Sequence, residues 1–234
     1  MIKLRKSEDR GSNQFYWLDS KHSFSFGEYH DPKFVHYGVL RVLNEDRVIP
    51  KGGFAPHSHQ DMEIVSYVIS GKLEHKDSLG NGSVIVSGDV QRMSAGSGIT
   101  HSEYNPSEKE EVHFLQIWFF PKKKKLEPSY EQKHFSKEAK LGKFKCIVSP
   151  TDKDAVFINQ NISIFSCILD KKHPFAIFKP QEIRKIYIQI VNGTVIINGY
   201  TLQQGDAAFV EEEAELKLAL NSSQEAEILL MDVF

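Results

Sequence analysis

Short apolar runs punctuated by Gly, Asn and Asp dominate the chain, a rhythm that predicts strands and tight turns rather than helices. Residues 37–43, 63–69 and 112–120 are each strand-length and rich in β-branched or aromatic side chains. Turn signals separate such runs at Ser70-Gly71, Gly80-Asn81-Gly82 and Ser87-Gly88-Asp89. Strand-like runs resume at 144–148, 162–169 and 184–191. No stretch sustains an apolar helical period for four turns, and a short helix at 136–141 is the one exception expected. The pattern predicts an all-β chain with little helix, built as sandwiches or jelly-roll barrels.

The strand rhythm stops at Pro121, the lysines 122–125 and Pro128. Residues 122–143 are therefore expected as a linker between a domain at 1–121 and another at 144–234. The lysine run reads as solvated linker surface rather than a nuclear-import or phosphate-binding patch. The two halves echo each other. Residues 188–195, with Gly193, resemble 66–73, with Gly71; residues 204–210, with Gly205-Asp206, resemble 87–93, with Gly88-Asp89. Such self-similarity predicts a duplicated β-barrel, two barrels packed together.

Candidate chemistry lies in the first half. His57 and His59 form one i,i+2 pair and His101 and Glu103 another, each among turn-forming glycines. Residues two apart on a strand project to the same side. If the two strands face each other inside a barrel, three imidazoles and a carboxylate converge on a point that binds a metal. That donor set suits Fe, Mn, Co, Ni, Cu or Zn and does not choose among them. Glu63 shares parity with His57 and His59, as does Asp61, and Glu63 is a rival or supporting carboxylate. His113, in an apolar strand, is a satisfied core histidine or a partner holding a ligand. Phe54 lines the metal's open side or packs in the core. His75, with Asp77, Ser78 and Gly80, lies at a turn and is expected to tie down the strand pair. Aligning the echoes puts Lys179 at the place of His57, Gln181 at His59, Lys185 at Glu63 and Leu218 at His101, with Leu220 one residue out of register at Glu103. The second half then keeps no ligand and is a scaffold.

Bulk properties narrow the partners. Hydrophobic residues at 40% and charged residues at 26% are those of an ordinary soluble chain. A net charge of −2 gives no case for nucleic acid or anionic membrane. No apolar run is long enough to span a membrane, and no secretory signal is visible. Only two cysteines, Cys146 and Cys167, exclude a disulfide framework and favour a reducing compartment, hence the cytoplasm. No interface signal is visible, so a monomer is expected.

The spacing of His57, His59, Glu63 and Gly71, followed by Gly88, Gly98, His101 and Asn105, resembles the two motifs of the cupin superfamily. More narrowly, residues 26–30, 75–81, 88–103 and 111–118 resemble the pirin family, close to small bacterial members described as quercetin 2,3-dioxygenases. The resemblance implies a bicupin whose N-terminal barrel holds one metal, usually iron, and Fe(II) is favoured on that ground alone. Carried over by position, the ligands are His57, His59, His101 and Glu103, with Glu103 also the catalytic base. It implies a flavonol substrate such as quercetin, and O2 as co-substrate, with the heterocycle opened and carbon monoxide released. A second implication is non-catalytic: a metal-containing, redox-responsive interaction protein that docks on a protein partner.

Overall fold

The β-branched and aromatic runs form strands that pair antiparallel with their neighbours, each turning alternate side chains inward. The computed structural model describes residues 1–181, 184–221 and 224–234. Among these the only α-helix is Lys137–Lys140, where the Ser136 side chain accepts from the Ala139 N–H as an N-cap. No helix among the described residues is long and apolar enough to cross a membrane.

The chain divides into two units. Gly11–His134 and Val156–Gln160 form one; Met1–Arg10, Phe135–Ala155 and Asn161–Phe234 form the other. The first ten residues thus group with the C-terminal unit. There Ile2–Arg5 pairs with Ala207–Val210, and the Lys6 ammonium lies 2.8 Å from Asp206. The segment expected as a linker contains a strand, Ser129–His134, paired along its length with Asp89–Ser94. It is an edge strand, half exposed and polar, so it lacks the apolar alternation that marks central strands.

In the N-terminal unit one sheet runs, in spatial order, Ser129–His134, Asp89–Ser94, Glu63–Ser70, Val112–Phe119, Leu40–Val48, Leu18–His22 and Gly11–Phe15. The other runs Gly53–His59, Ile99–Tyr104, Lys72–Asp77 and Gly82–Val86. Leu18, Val48, Val68, Val112 and Phe114 of the first pack with Leu73 and Ile85 of the second in one buried cluster. The strand expected at 37–43 begins only at Leu40, after a turn in which Tyr37 and Leu40 exchange backbone hydrogen bonds of 2.9 and 3.0 Å. It then continues to Val48 through the polar Asn44 and Asp46.

The C-terminal unit repeats the scheme. One sheet takes, in order, Ile2–Arg5, Ala207–Val210, Lys185–Asn192, Ala226–Val233, Ser163–Leu169 and Lys145–Ser149. The other takes Phe175–Phe178, Leu216–Leu220, Thr194–Ile197 and Tyr200–Gln203. Its interior is aliphatic, with Ile188, Ile190, Val195, Ile197, Leu216, Leu218 and Leu230 in one cluster. Gly71 and Gly193 turn matching hairpins at φ +77° and +74°. A Cβ would meet the Glu111 carbonyl at 2.4 Å in the first and the Glu225 carbonyl at 2.6 Å in the second, so both positions exclude a side chain.

Candidate metal centre

The strands carrying the two histidine pairs are neighbours in one sheet rather than facing walls, and His101 stands directly opposite His57. Between His101 and Glu103 the register shifts, so that Glu103 stands opposite Phe54. The extra residue falls at Ala55-Pro56, where Pro56 has no N–H to give the ladder. The Ala55 carbonyl instead receives the His57 ring Nδ1 at 2.8 Å. The bulge also turns Phe54 into the same cavity as His57 and His59.

Ligand nitrogens of His57, His59 and His101 lie within 4.8 Å of one another. The Nε2 atoms of His59 and His101 are 3.0 Å apart. Behind them, His101 Nδ1 lies 3.4 Å from His75 Nδ1, and His75 Nε2 lies 3.2 Å from Asp77 Oδ2. Because a carboxylate only accepts, the chain of donors runs one way: His75 Nε2–H to Asp77, and His101 Nδ1–H to His75. His101 Nε2 is then left with a bare lone pair, as is His57 Nε2 when its Nδ1–H donates to Ala55. Burial, with the neighbouring His57 ring adding to it, lowers His59 to about 4 and His101 to about 2. Both rings are neutral near pH 7, the state in which imidazole binds a metal. The donor set therefore fits a divalent metal.

Glu103 is fully enclosed, and burial raises its proton affinity against the hydrogen bonds that lower it. Its Oε2 accepts from Gln116 Nε2 at 2.7 Å. The Ser66 hydroxyl lies 3.0 Å from Gln116 Oε1 and 3.3 Å from Glu103 Oε1, and its single proton serves one of them at a time. A second group of possible donors joins Glu103 to His75 and His101. A cavity of about 540 Å³ opens beside His57, His59 and Glu103. Trp17 meets Phe54 edge-on at 5.1 Å between centroids, and Trp118 meets His59 at 4.8 Å and Phe26 at 5.4 Å, so linked aromatic rings form part of its wall, beside polar residues such as Asn44, Asp46 and Gln116.

The family model described as Pirin matches residues 3–119, and that of the quercetinase C-terminal cupin domain matches 146–233. The chain belongs to the pirin family. A quercetin 2,3-dioxygenase of Escherichia coli K12 is 39% identical over 234 residues, covering 100% of this chain and 99% of its own. A pirin-like protein of Caulobacter vibrioides is 38% identical, with 99% of each chain covered. The crystal structure of the bacterial pirin YhhW from E. coli, in complex with nickel(II), superposes with a TM-score of 0.92 at 38% identity, covering 100% of this chain and 99% of that one.

Within this pirin the remaining expected residues separate. Glu63 is buried on the larger sheet, where Ser94 Oγ donates to it at 2.8 Å and Asn159 Nδ2 at 3.2 Å. Burial raises its proton affinity too, but it belongs to neither histidine group. Asp61 accepts from the Lys125 N–H at 2.6 Å. His113 Nε2 meets Glu45 Oε1 at 2.9 Å, on the strand face opposite Gln116 and Trp118. The turn beyond His75 is held by Asp77, which accepts from the Leu79 and Asn81 N–H groups. His75 itself faces inward, wholly buried against His101. Its parity with Leu73 and Asp77 on the strand after Gly71 is the signal that points it inward. Ser66, Gln116, Asn44 and Asp46 also escape a reading tuned to metal ligands. Polar residues at i,i+2 inside an otherwise buried strand, as at Asn44 and Asp46, are the signal there.

The pairing also corrects the alignment of the two halves. Ile197 lies four residues after Gly193 as His75 does after Gly71, and Leu218 stands opposite Ile197 as Glu103 stands opposite His75. Leu218 therefore takes the place of Glu103, and Leu216 that of His101. Phe178, opposite Leu216, takes the place of His57 rather than Lys179. The connection before Leu216–Leu220 is two residues shorter than its counterpart, which throws off an alignment anchored on Gly205.

Proposed function

We propose that this pirin is a metal-dependent quercetin 2,3-dioxygenase that opens the heterocycle of flavonols with O2 and releases carbon monoxide. In this reading each unit is a jelly-roll cupin barrel, the N-terminal one binding the metal and the C-terminal one reduced to a scaffold. His57, His59, His101 and Glu103 are the ligands, with iron(II) the favoured metal. The single observation that carries the reading is the convergence of ring nitrogens of His57, His59 and His101 within 4.8 Å of one another, beside a cavity that His57 and His59 line. The full-length likeness to a quercetin 2,3-dioxygenase supports it.

A divalent metal bound there supplies Lewis acidity toward the substrate's 3-hydroxyl and carbonyl oxygens, and a path for electrons between flavonol and O2. The chain's own residues do the rest. Glu103, its proton affinity raised by burial, takes the 3-hydroxyl proton as general base, while Gln116 holds its Oε2. The flavonolate so formed is electron-rich enough to react with O2. Trp17, Phe54 and Trp118 sandwich the flat ring system and exclude water from the reacting face. The protein acts as a monomer in the cytoplasm.

The test couples elemental analysis to turnover. Bleaching of quercetin's visible band, O2 uptake and carbon monoxide release should all scale with bound metal. Metal-replete protein that leaves quercetin untouched would exclude the dioxygenase.

A further inference from the structure

Glu103 is held from the opposite sheet. It stands on the strand Ile99–Tyr104, while Gln116 and Ser66 are paired on Val112–Phe119 and Glu63–Ser70 of the larger sheet. All three side chains are buried, and Glu103 and Gln116 line the cavity. A carboxylate only accepts, so the Gln116 amide presents its Nε2–H to Glu103 Oε2, at 2.7 Å, and its own Oε1 is left to accept. The Ser66 hydroxyl answers that Oε1 at 3.0 Å, closer than its 3.3 Å to Glu103 Oε1. The two carboxylate oxygens are therefore unlike. Oε2 is tied by a charge-assisted hydrogen bond, and Oε1 keeps its lone pairs for another partner. In the C-terminal unit Leu230 is paired with Ile188 as Gln116 is with Ser66. Both pack in one aliphatic cluster with Leu218, which takes the place of Glu103. An amide and a hydroxyl at these places are no requirement of the fold.

We infer that Gln116 is a positioning residue for Glu103: it ties back Oε2, so that Glu103 offers a metal Oε1 alone and room is kept for a substrate that chelates through two oxygens. The inference rests on the reading of Glu103 as a ligand. A cation that takes about six neighbours, held by His57, His59, His101 and one oxygen of Glu103, keeps about two places open. A hydroxyl and the carbonyl beside it need both. A carboxylate free to turn binds a divalent cation through either one oxygen or two, and the second would fill one of those places. A ligand that approaches through a single oxygen or nitrogen loses nothing by that. The amide thereby selects a class of substrate: compounds with a hydroxyl next to a carbonyl, rather than simple phenols.

The test uses cobalt(II)-loaded protein without O2 and two probes. Maltol carries the flavonol's hydroxyl and neighbouring carbonyl without its aryl rings and takes two positions; azide takes one. Visible absorption of the cobalt reports both affinities, and competition against a chelator of known strength reports that for cobalt itself. Gln116→Leu installs the residue of the C-terminal unit and deletes the N–H donor. Gln116→Met, unbranched and of similar length, gives the same readouts should the leucine disturb folding. In either variant maltol affinity should fall by about 10- to 100-fold, the usual reach of a group that orients a ligand. Azide affinity should hold, and cobalt affinity should hold or rise. Parallel weakening of cobalt, azide and maltol would reduce Gln116 to a structural part, and unchanged maltol affinity in both variants would show that Oε2 needs no tether. Either result overturns the inference and leaves the ligand set standing. Glu103→Gln is the control: cobalt bands identical to those of the wild type would remove Glu103 from the metal, and the inference would fall together with the ligand reading.

Discussion

The two units share a strand order and hairpin glycines at matching places, yet their interiors are opposite in character. In the N-terminal unit the inward positions of the smaller sheet hold His57, His75, His101 and Glu103, and the facing sheet adds Ser66, Gln116 and Asn44. At the corresponding places the C-terminal unit has Phe178, Ile197, Leu216, Leu218, Ile188, Leu230 and Phe165. One backbone scheme therefore tolerates either filling. The two interiors have different needs: aliphatic side chains require only close packing, whereas the polar set requires hydrogen bonds in every direction or a cation. The N-terminal unit meets part of that need with the Asp77–His75–His101 and Ser66–Gln116–Glu103 chains. The lone pairs left over on the three imidazoles are what the C-terminal unit lacks.

The sharpest break in the comparison is truncation of matched positions. His101→Ala should strip the metal and drop quercetin bleaching to the uncatalysed background. Leu216→Ala, at the matching place, should cost about 2–5 kcal/mol of stability through the cavity it leaves, with turnover per folded molecule intact. Metal analysis and urea unfolding, run on both variants, check the pair. Retained metal in His101→Ala would mean that the nitrogens do not act together.

Next in size is Glu103→Gln. The amide is close to isosteric but is no base, so turnover should fall by about 100- to 10,000-fold. Metal content should fall less than in His101→Ala, because three imidazoles remain. Stopped-flow bleaching with elemental analysis of the same sample separates the two roles. Equal loss of metal and turnover would assign Glu103 to binding alone.

How much of this was legible in the sequence follows from what each residue needs. The strands at 63–69, 112–120 and 162–169 are central, buried on both faces, and so read as apolar runs to within a residue or two of Glu63–Ser70, Val112–Phe119 and Ser163–Leu169. Ser129–His134 is a polar edge strand and reads as loop. The histidine pairs were visible through their spacing, which strand geometry converts into a shared face. Their true relation, side by side in one sheet with a bulge at Pro56, depends on pairing that no local pattern encodes. His75 was visible as a residue but not as a neighbour of His101. That contact spans the gap between adjacent strands, and only the register of Lys72–Asp77 against Ile99–Tyr104 creates it.

That contact defines a smaller test. His75→Ile converts the position to its C-terminal counterpart, Ile197, removes the acceptor for His101 Nδ1–H and leaves the three imidazoles of the cavity in place. Metal affinity should fall by about 10- to 100-fold, the usual effect of losing a group that orients a ligand histidine. Competition against a chelator of known affinity measures it. Unchanged affinity would show that packing alone orients His101.

The smallest effect tests the other side of the comparison. Ile197→Val removes one buried methylene from a fully enclosed aliphatic cluster, so unfolding stability should drop by about 0.5–1.5 kcal/mol. The midpoint of urea unfolding should move with an unchanged slope, because the surface exposed on unfolding is nearly the same. Metal content and quercetin turnover should equal those of the wild type, since Ile197 borders no donor atom or cavity wall named above. A change in turnover without a change in metal content would give the C-terminal interior a part in the reaction. Chemistry would then no longer be confined to the unit that carries the histidines.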